Sequence, residues 1–164
     1  ISLLGFFVLL LHDHRGISTA VAAAAFAGTQ VLGGAARILV GRWSDHMRAR
    51  IVPLRLVALG LAAAVGLTTV LLEAPPWLLL PSLVVAGVFG LSWNGLSFTA
   101  AAELAGTARS GAAIGFQQAA LAGVGVAAPV VFASLVAATS WRAGYGLAAV
   151  APLLGVLILR RLRI

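Results

Sequence analysis

The chain is a succession of long apolar runs broken by short charged islands about one bilayer crossing apart, and that spacing leaves few folds open to it. A helix needs about 20 mainly apolar residues to cross a hydrocarbon core about 30 Å thick, and several runs reach that length with few or no charges. The longest island, Gly41 to Arg55 (GRWSDHMRARIVPLR), is the only strongly charged stretch. Hydrophobic residues fill 62% of the 164 positions and charged ones 9%, against about 25% charged in an average soluble domain, which rules out water as the main solvent. The expected fold class is all-α: a polytopic transmembrane helix bundle with the lipid bilayer as its surroundings.

Breaks at charged or Pro/Gly islands predict a partial helix over 1–12, then helices near 18–40, 52–72, 76–101, 110–137 and 142–160. That makes five full spans and a remnant. The first run, ISLLGFFVLLL, would reach only about 16 Å as a helix, too short to cross. It lacks the leading basic residues and small-residue cleavage site of a signal peptide, so the chain is expected to begin inside a helix. Ser18 and Thr19 can cap the second helix, and Pro53 and Pro76 fall in first turns, where a missing N–H costs nothing.

Alternate loops lie on the same side of a membrane. The loop 41–55, the loop 102–110 and the C-terminal tail therefore belong together, with Arg42, Arg48, Arg50, Arg55, Arg109, Arg160, Arg161 and Arg163. The opposite side has Arg15 and Arg142, and Arg37 stands near an inner helix end. Positive residues favour the cytoplasmic side, so this asymmetry predicts a cytoplasmic C-terminus. It also explains the net charge of +7 without a nucleic-acid partner. Trp77 and Trp141 at the outer face, and Trp43 and Trp93 near the inner one, are placed as interfacial anchors.

Membrane helices bury polar atoms only against protein or a watery cavity, so mid-span polar residues report which helices face inward. The second helix sets Gln30, Gly33, Gly34, Arg37 and Gly41 on one face, and the fourth does the same with Gly87, Gly90, Asn94, Ser97 and Ala101. The fifth carries Gln117 and Gln118, the latter on a face with Gly111, Gly115, Ala122, Gly125 and Pro129. The third and sixth helices offer almost nothing polar in mid-span and are expected at the periphery. Small residues on such faces also serve plain helix packing, where Gly and Ala permit close approach. Gln30, Asn94, Gln117 and Gln118 are the candidates for substrate or cavity lining, with Arg37 a candidate anion contact.

Other chemistry is excluded by what the islands hold. There is no cysteine, hence no disulfide or thiol chemistry. The two histidines of His12-Asp13-His14 diverge on a helix without a third ligand, so no metal site is expected. GAAIG at 111–115 follows no strand and precedes no Lys, which makes it a packing motif and not a nucleotide loop. The four acids, Asp13, Asp45, Glu73 and Glu103, all fall in loops or at helix ends, so no buried carboxylate relay is present. No nucleophile, base or cofactor cluster appears, and neither an enzyme nor a cofactor is expected.

The island resembles the loop pattern G-x-x-x-D-R-x-G-R-K/R of the major facilitator superfamily. Gly41, Asp45 and Arg50 match and Arg42 is a frequent occupant of its place, while His46, Arg48 and Ala49 replace Arg, Gly and Arg. WNGLSFTAAAELAG and RSGAAIGFQQAALAGVGVAAPVVFASL are similar to the fourth-to-fifth helix passage of bacterial transporters of that family. The weakened pattern suits the family's second copy of the loop, so the resemblance implies a six-helix C-terminal half with its first helix truncated. It implies secondary transport of a small solute by alternating access, an N-terminal half as partner, and residence in a bacterial cytoplasmic membrane. The first, second, fourth and fifth helices would line the cavity. Gly41, Arg42, Asp45, Arg48, Arg50 and Glu103 would form a conformational latch, with Arg48 standing where the pattern's tight turn has its second glycine. A non-transporting structural or sensor membrane protein is the alternative.

Overall fold

The computed structural model describes residues 2–161, so Ile1 and the tail residue Arg163 lie outside the described residues. The N-terminal segment is short and broken: α1 (Ser2–Gly5) and α2 (Phe7–Leu9) are followed by a π-helical stretch, Leu10–His14. Five long helices follow: α3 (Thr19–Met47), α4 (Ile51–Val70), α5 (Pro76–Ala105), α6 (Ser110–Ala138) and α7 (Trp141–Leu159). A 3-10 turn, Leu71–Glu73, extends α4. All five are long and apolar enough to cross a membrane, and no strand occurs among the described residues.

Two helices run past the ends expected for them. Helix α3 does not stop near residue 40 but runs on through Trp43 and Asp45 to Met47, and α5 runs past 101 to Ala105. Both extensions carry charged residues, Arg42 and Asp45 on α3 and Glu103 on α5, so the break in hydrophobicity comes before the helix end. Asp45 and Glu103 consequently sit within last turns. Ser18 Oγ accepts the Val21 N–H at the start of α3, and Ser140 Oγ accepts the Ala143 N–H at 3.1 Å at the start of α7.

Helix α5 occupies the centre, packed on α3, α4 and α6, while α7 lies against α4 and α6. Helices α3 and α5 run parallel in a register of fours. Thr29 faces Gly87, Leu91 faces Gly33, and the Arg37 stem lies over Gly95. Each rung sets a small residue against a larger one, as when i±4 ridges interdigitate. Helix α4 meets α5 through Gly60 under the Phe89 ring and through the buried Thr68 hydroxyl, which donates to Ala64 O at 2.9 Å and lies 3.3 Å from Ser82 Oγ.

The end of the bundle away from the basic loop is filled by apolar and aromatic groups. Phe7, Leu10 and Leu11 of the N-terminal segment are fully buried in a cluster with Leu79, Leu83, Phe132 and Tyr145. The Phe6 and Phe132 rings are 4.9 Å apart, and Phe132 meets Tyr145 edge-on at 5.6 Å. Trp141 joins this cluster, 6.3 Å from both Phe6 and Phe132, whereas Trp77 stands exposed at the same end.

Candidate functional site

At the basic end, Arg50 gathers the two carboxylates. Its Nη1 donates to Asp45 Oδ1 at 2.5 Å and to Ser44 Oγ at 3.0 Å; its Nε donates to Glu103 Oε1 at 3.0 Å. Hydrogen bonds with Glu103 first and Asp45 second push the Arg50 pKa above its ordinary value, so the guanidinium stays charged. Ser44 is buried and its hydroxyl donates to Ala49 O at 2.6 Å, which fixes the turn from α3 to α4. Arg55 donates to Leu159 O at 3.1 Å and ties the end of α7 to α4. One end of the bundle thus holds the end of α3, the start of α4, and the ends of α5 and α7.

The remaining residues of the loop behave differently. Arg42 and Arg48 are exposed and pair with no carboxylate among the described residues, and Gly41 has open space where a side chain would stand. Asp45 keeps 65% of its side-chain surface exposed despite its pairing, leaving room for a further donor.

In mid-span the polar candidates divide into two kinds. Gln30 and Gln118 are exposed on α3 and α6, the two least buried spans. Arg37 is also exposed, but its Nε and Nη2 reach across to Leu91 O on α5 at 3.3 and 3.2 Å. Asn94 is half-buried on α5, one turn beyond Leu91. Gln117 belongs to a seam: its Nε2 donates to Ser97 Oγ, linking α6 to α5. Gly33 and Gly87 are packing residues under Leu91 and Thr29, while Gly34, Gly111 and Gly115 face open space.

A groove of about 400 Å³ opens toward the basic end, lined mainly by apolar side chains including Ile51, Leu54, Leu104 and Phe116. Of the five mid-span candidates it includes only Gln117, so it is not where the polar face gathers.

The opposite end carries a second ionic tie that the sequence did not signal. Glu73 accepts from Arg15 Nη1 at 3.0 Å and bonds His14 Nε2 at 3.0 Å, while Arg15 Nη2 donates to Ala74 O at 2.5 Å. These partners are 58 or 59 residues apart, a separation at which nothing local marks a pair. His12 instead meets Ile17 O at 3.0 Å, and among the described residues no three His, Asp or Glu form a metal cluster.

The family model described as Major Facilitator Superfamily matches residues 1–163. The chain belongs to the Major Facilitator Superfamily. Two relatives are named uncharacterized MFS-type transporters, from Mycobacterium tuberculosis strains ATCC 25618 and CDC 1551. They are 33% and 32% identical over 92% of this chain and 34% of each relative, so the chain spans about a third of their length. No solved structure matches it. With five apolar helices of spanning length, the chain is part of a multi-pass membrane protein.

The superfamily's loop pattern explains one local feature. Where it has its second glycine this chain has Arg48, and Arg48 adopts φ 49° and ψ 35°, the left-handed conformation that ends α3. The tight turn survives without glycine. Arg48 N–H donates to Asp45 O at 3.1 Å and Ala49 N–H to Ser44 O at 3.3 Å, closing the helix end.

Proposed function

We propose that the chain is the C-terminal half of a secondary transporter, moving a small solute by alternating access as it rocks against an N-terminal half supplied by sequence outside these residues. One observation carries this reading: the two spans least covered by their neighbours, α3 and α6, are those with exposed polar side chains in mid-span. Hydrocarbon would penalise Gln30, Arg37 and Gln118 there, whereas a watery cavity between two halves would not. Asn94 and Gln117 lie on the adjoining α5 and α6 faces and complete the proposed lining. Nothing in this arrangement supplies a catalytic group, and the proposed role is not enzymatic.

The Arg50 cluster is the proposed latch. Arg50 holds Asp45 and Glu103 across the ends of α3 and α5, and the exposed face of Asp45 is available to a helix N-terminus of the other half. Gly41, Arg42 and Arg48 border it, and neither arginine has an ion-pair partner among the described residues. We assign the arginine-rich end, and with it the C-terminus, to the cytoplasm by its excess of positive charge, and propose a bacterial cytoplasmic membrane as the setting.

The test is side-specific labelling of a Gln118→Cys variant in a full-length protein of the relatives' size. Impermeant maleimide is applied to right-side-out and inside-out vesicles. Adding Asp45→Asn is expected to increase labelling from the cytoplasmic side and decrease it from the other, each about two- to fivefold, equivalent to about 0.4–1 kcal/mol. Changes of the same sign on both sides, or no labelling from either, would overturn alternating access and favour a non-transporting role.

A further inference from the structure

We infer that Arg37 is a preorganised recognition site for the anionic group, carboxylate or phosphate, of the transported solute. The inference deepens the transport reading and rests on it.

The depth of the guanidinium comes first. Helix α3 runs toward the basic end, and helical side chains lean back toward their own N-terminus, so the Arg37 stem is directed away from the nearby aqueous face. Its acceptor, Leu91, lies at the middle of the 30-residue α5. Arg37 itself stands ten residues before Met47 at the end of α3, under about three turns, a distance from which an arginine would ordinarily snorkel to the nearer interface. This one turns inward and is held there.

Packing accounts for the hold. Arg37 is the third rung of the α3–α5 ladder, with its Cγ 3.4 Å and its Cδ 3.6 Å from where a Cβ on Gly95 would stand. The groove over Gly95 takes the aliphatic stem, and the Leu91 carbonyl takes Nε and Nη2. A carbonyl accepts hydrogen bonds but does not cancel a charge. The edge formed by Nη1 and the second Nη2 N–H carries no protein partner among the described residues, and that edge has the parallel N–H geometry that matches a carboxylate or phosphate.

Among the described residues no carboxylate is placed to offset this charge. Asp45 and Glu103 are engaged by Arg50 at one end, Glu73 by Arg15 and His14 at the other, and Asp13 lies at that same far end. The side chain is exposed, on the open face of α3, with Gln30 two turns further along that face to bond the uncharged part of a solute. A fixed, uncompensated cation that offers an unused pair of parallel N–H groups to a cavity selects anions.

The experiment places a thiol beside the charge. Gly34 is one turn from Arg37, is exposed, and has open space where a side chain would stand. This chain has no cysteine, so Gly34→Cys is introduced into the full-length protein with any other cysteine changed to serine. Labelling rates are compared for the sulfonate and the trimethylammonium methanethiosulfonate reagents. The sulfonate-to-ammonium ratio is expected to fall about tenfold when Arg37→Gln is added, and Arg37→Lys should restore most of it. A ratio unmoved by Arg37→Gln, as when the other half brings a carboxylate to Arg37, overturns this inference while leaving the cavity in place. Failure of both reagents to react means that the face meets lipid or protein, and overturns the transport reading with it.

Discussion

Helices α3 and α4 pack on the same central helix by the same device, a glycine that receives a bulky side chain of α5, yet the two seams end differently. On the α4 side Gly60 lies under the Phe89 ring, and within the seam the buried Thr68 hydroxyl meets Ser82. On the α3 side the first two rungs, Thr29 over Gly87 and Leu91 over Gly33, are ordinary packing, and the third is Arg37 over Gly95. A stripe of small residues therefore does not distinguish a seam from a site. What distinguishes them is the last rung, where the groove that elsewhere admits a methyl or isobutyl group admits the stem of a charged side chain.

The largest effect that would test this comparison is at Gly33. A Cβ there would stand 2.4 Å from Leu91 Cδ1 and 2.7 Å from Leu91 Cβ, so the α5 side chain cannot simply swing away. At Gly60 the clash is with the far end of a ring, Phe89 Cε1 at 2.5 Å, which rotation can relieve. Gly33→Ala is expected to cost about 1–3 kcal/mol by overpacking, lowering the thermal midpoint of the detergent-purified full-length protein. Gly60→Ala should cost under about 1 kcal/mol, since the better helix propensity of alanine offsets part of the strain. Equal losses at the two positions would mean that α3 and α4 are held alike, and the distinction drawn here would fail.

An intermediate effect is expected at Gly95, where packing and charge meet. Gly95→Val adds branches beyond a Cβ already at 3.4 Å from Arg37 Cγ, and so displaces the stem. The sulfonate-to-ammonium labelling ratio at Gly34→Cys should drop about threefold, less than with Arg37→Gln, because the charge is moved and not removed. The thermal midpoint should hardly change. A loss of stability as large as that of Gly33→Ala would make Gly95 one more packing glycine and Arg37 merely its cover.

The spans and the uneven placement of mid-span polar residues were legible because apolar run length and helical periodicity are local properties. Gln30, Arg37 and Gln118 could be named from them. Their surroundings could not. The acceptor of Arg37 is a backbone carbonyl, which every residue possesses, so no pattern of side chains announces it. Gln117 and Gln118 are adjacent and equally polar, yet one is turned into the α5 seam and the other outward, a difference set by the rotation of α6. The Arg15–Glu73 tie depends on where the N-terminal segment folds back over the bundle, and the last turns of α3 and α5 were hidden because charged residues resemble a loop to a hydrophobicity argument.

The smallest effect concerns the end of α3 itself. Arg48 is a non-glycine residue at φ 49°, in a conformation that costs an L-residue about 1 kcal/mol and glycine almost nothing. Its side chain is exposed and makes no ion pair among the described residues, so removing it gives up no contact within this half. Arg48→Gly is therefore expected to stabilise the protein by about 0.5–1 kcal/mol, raising the thermal midpoint slightly while Asp45, Ser44 and Glu103 stay on Arg50. A lowered midpoint would show that the Arg48 charge meets something outside this chain at the latch. Arg50 alone would then no longer account for how the basic end is held, and the α3 seam would be anchored at its end by the other half as well as by α5.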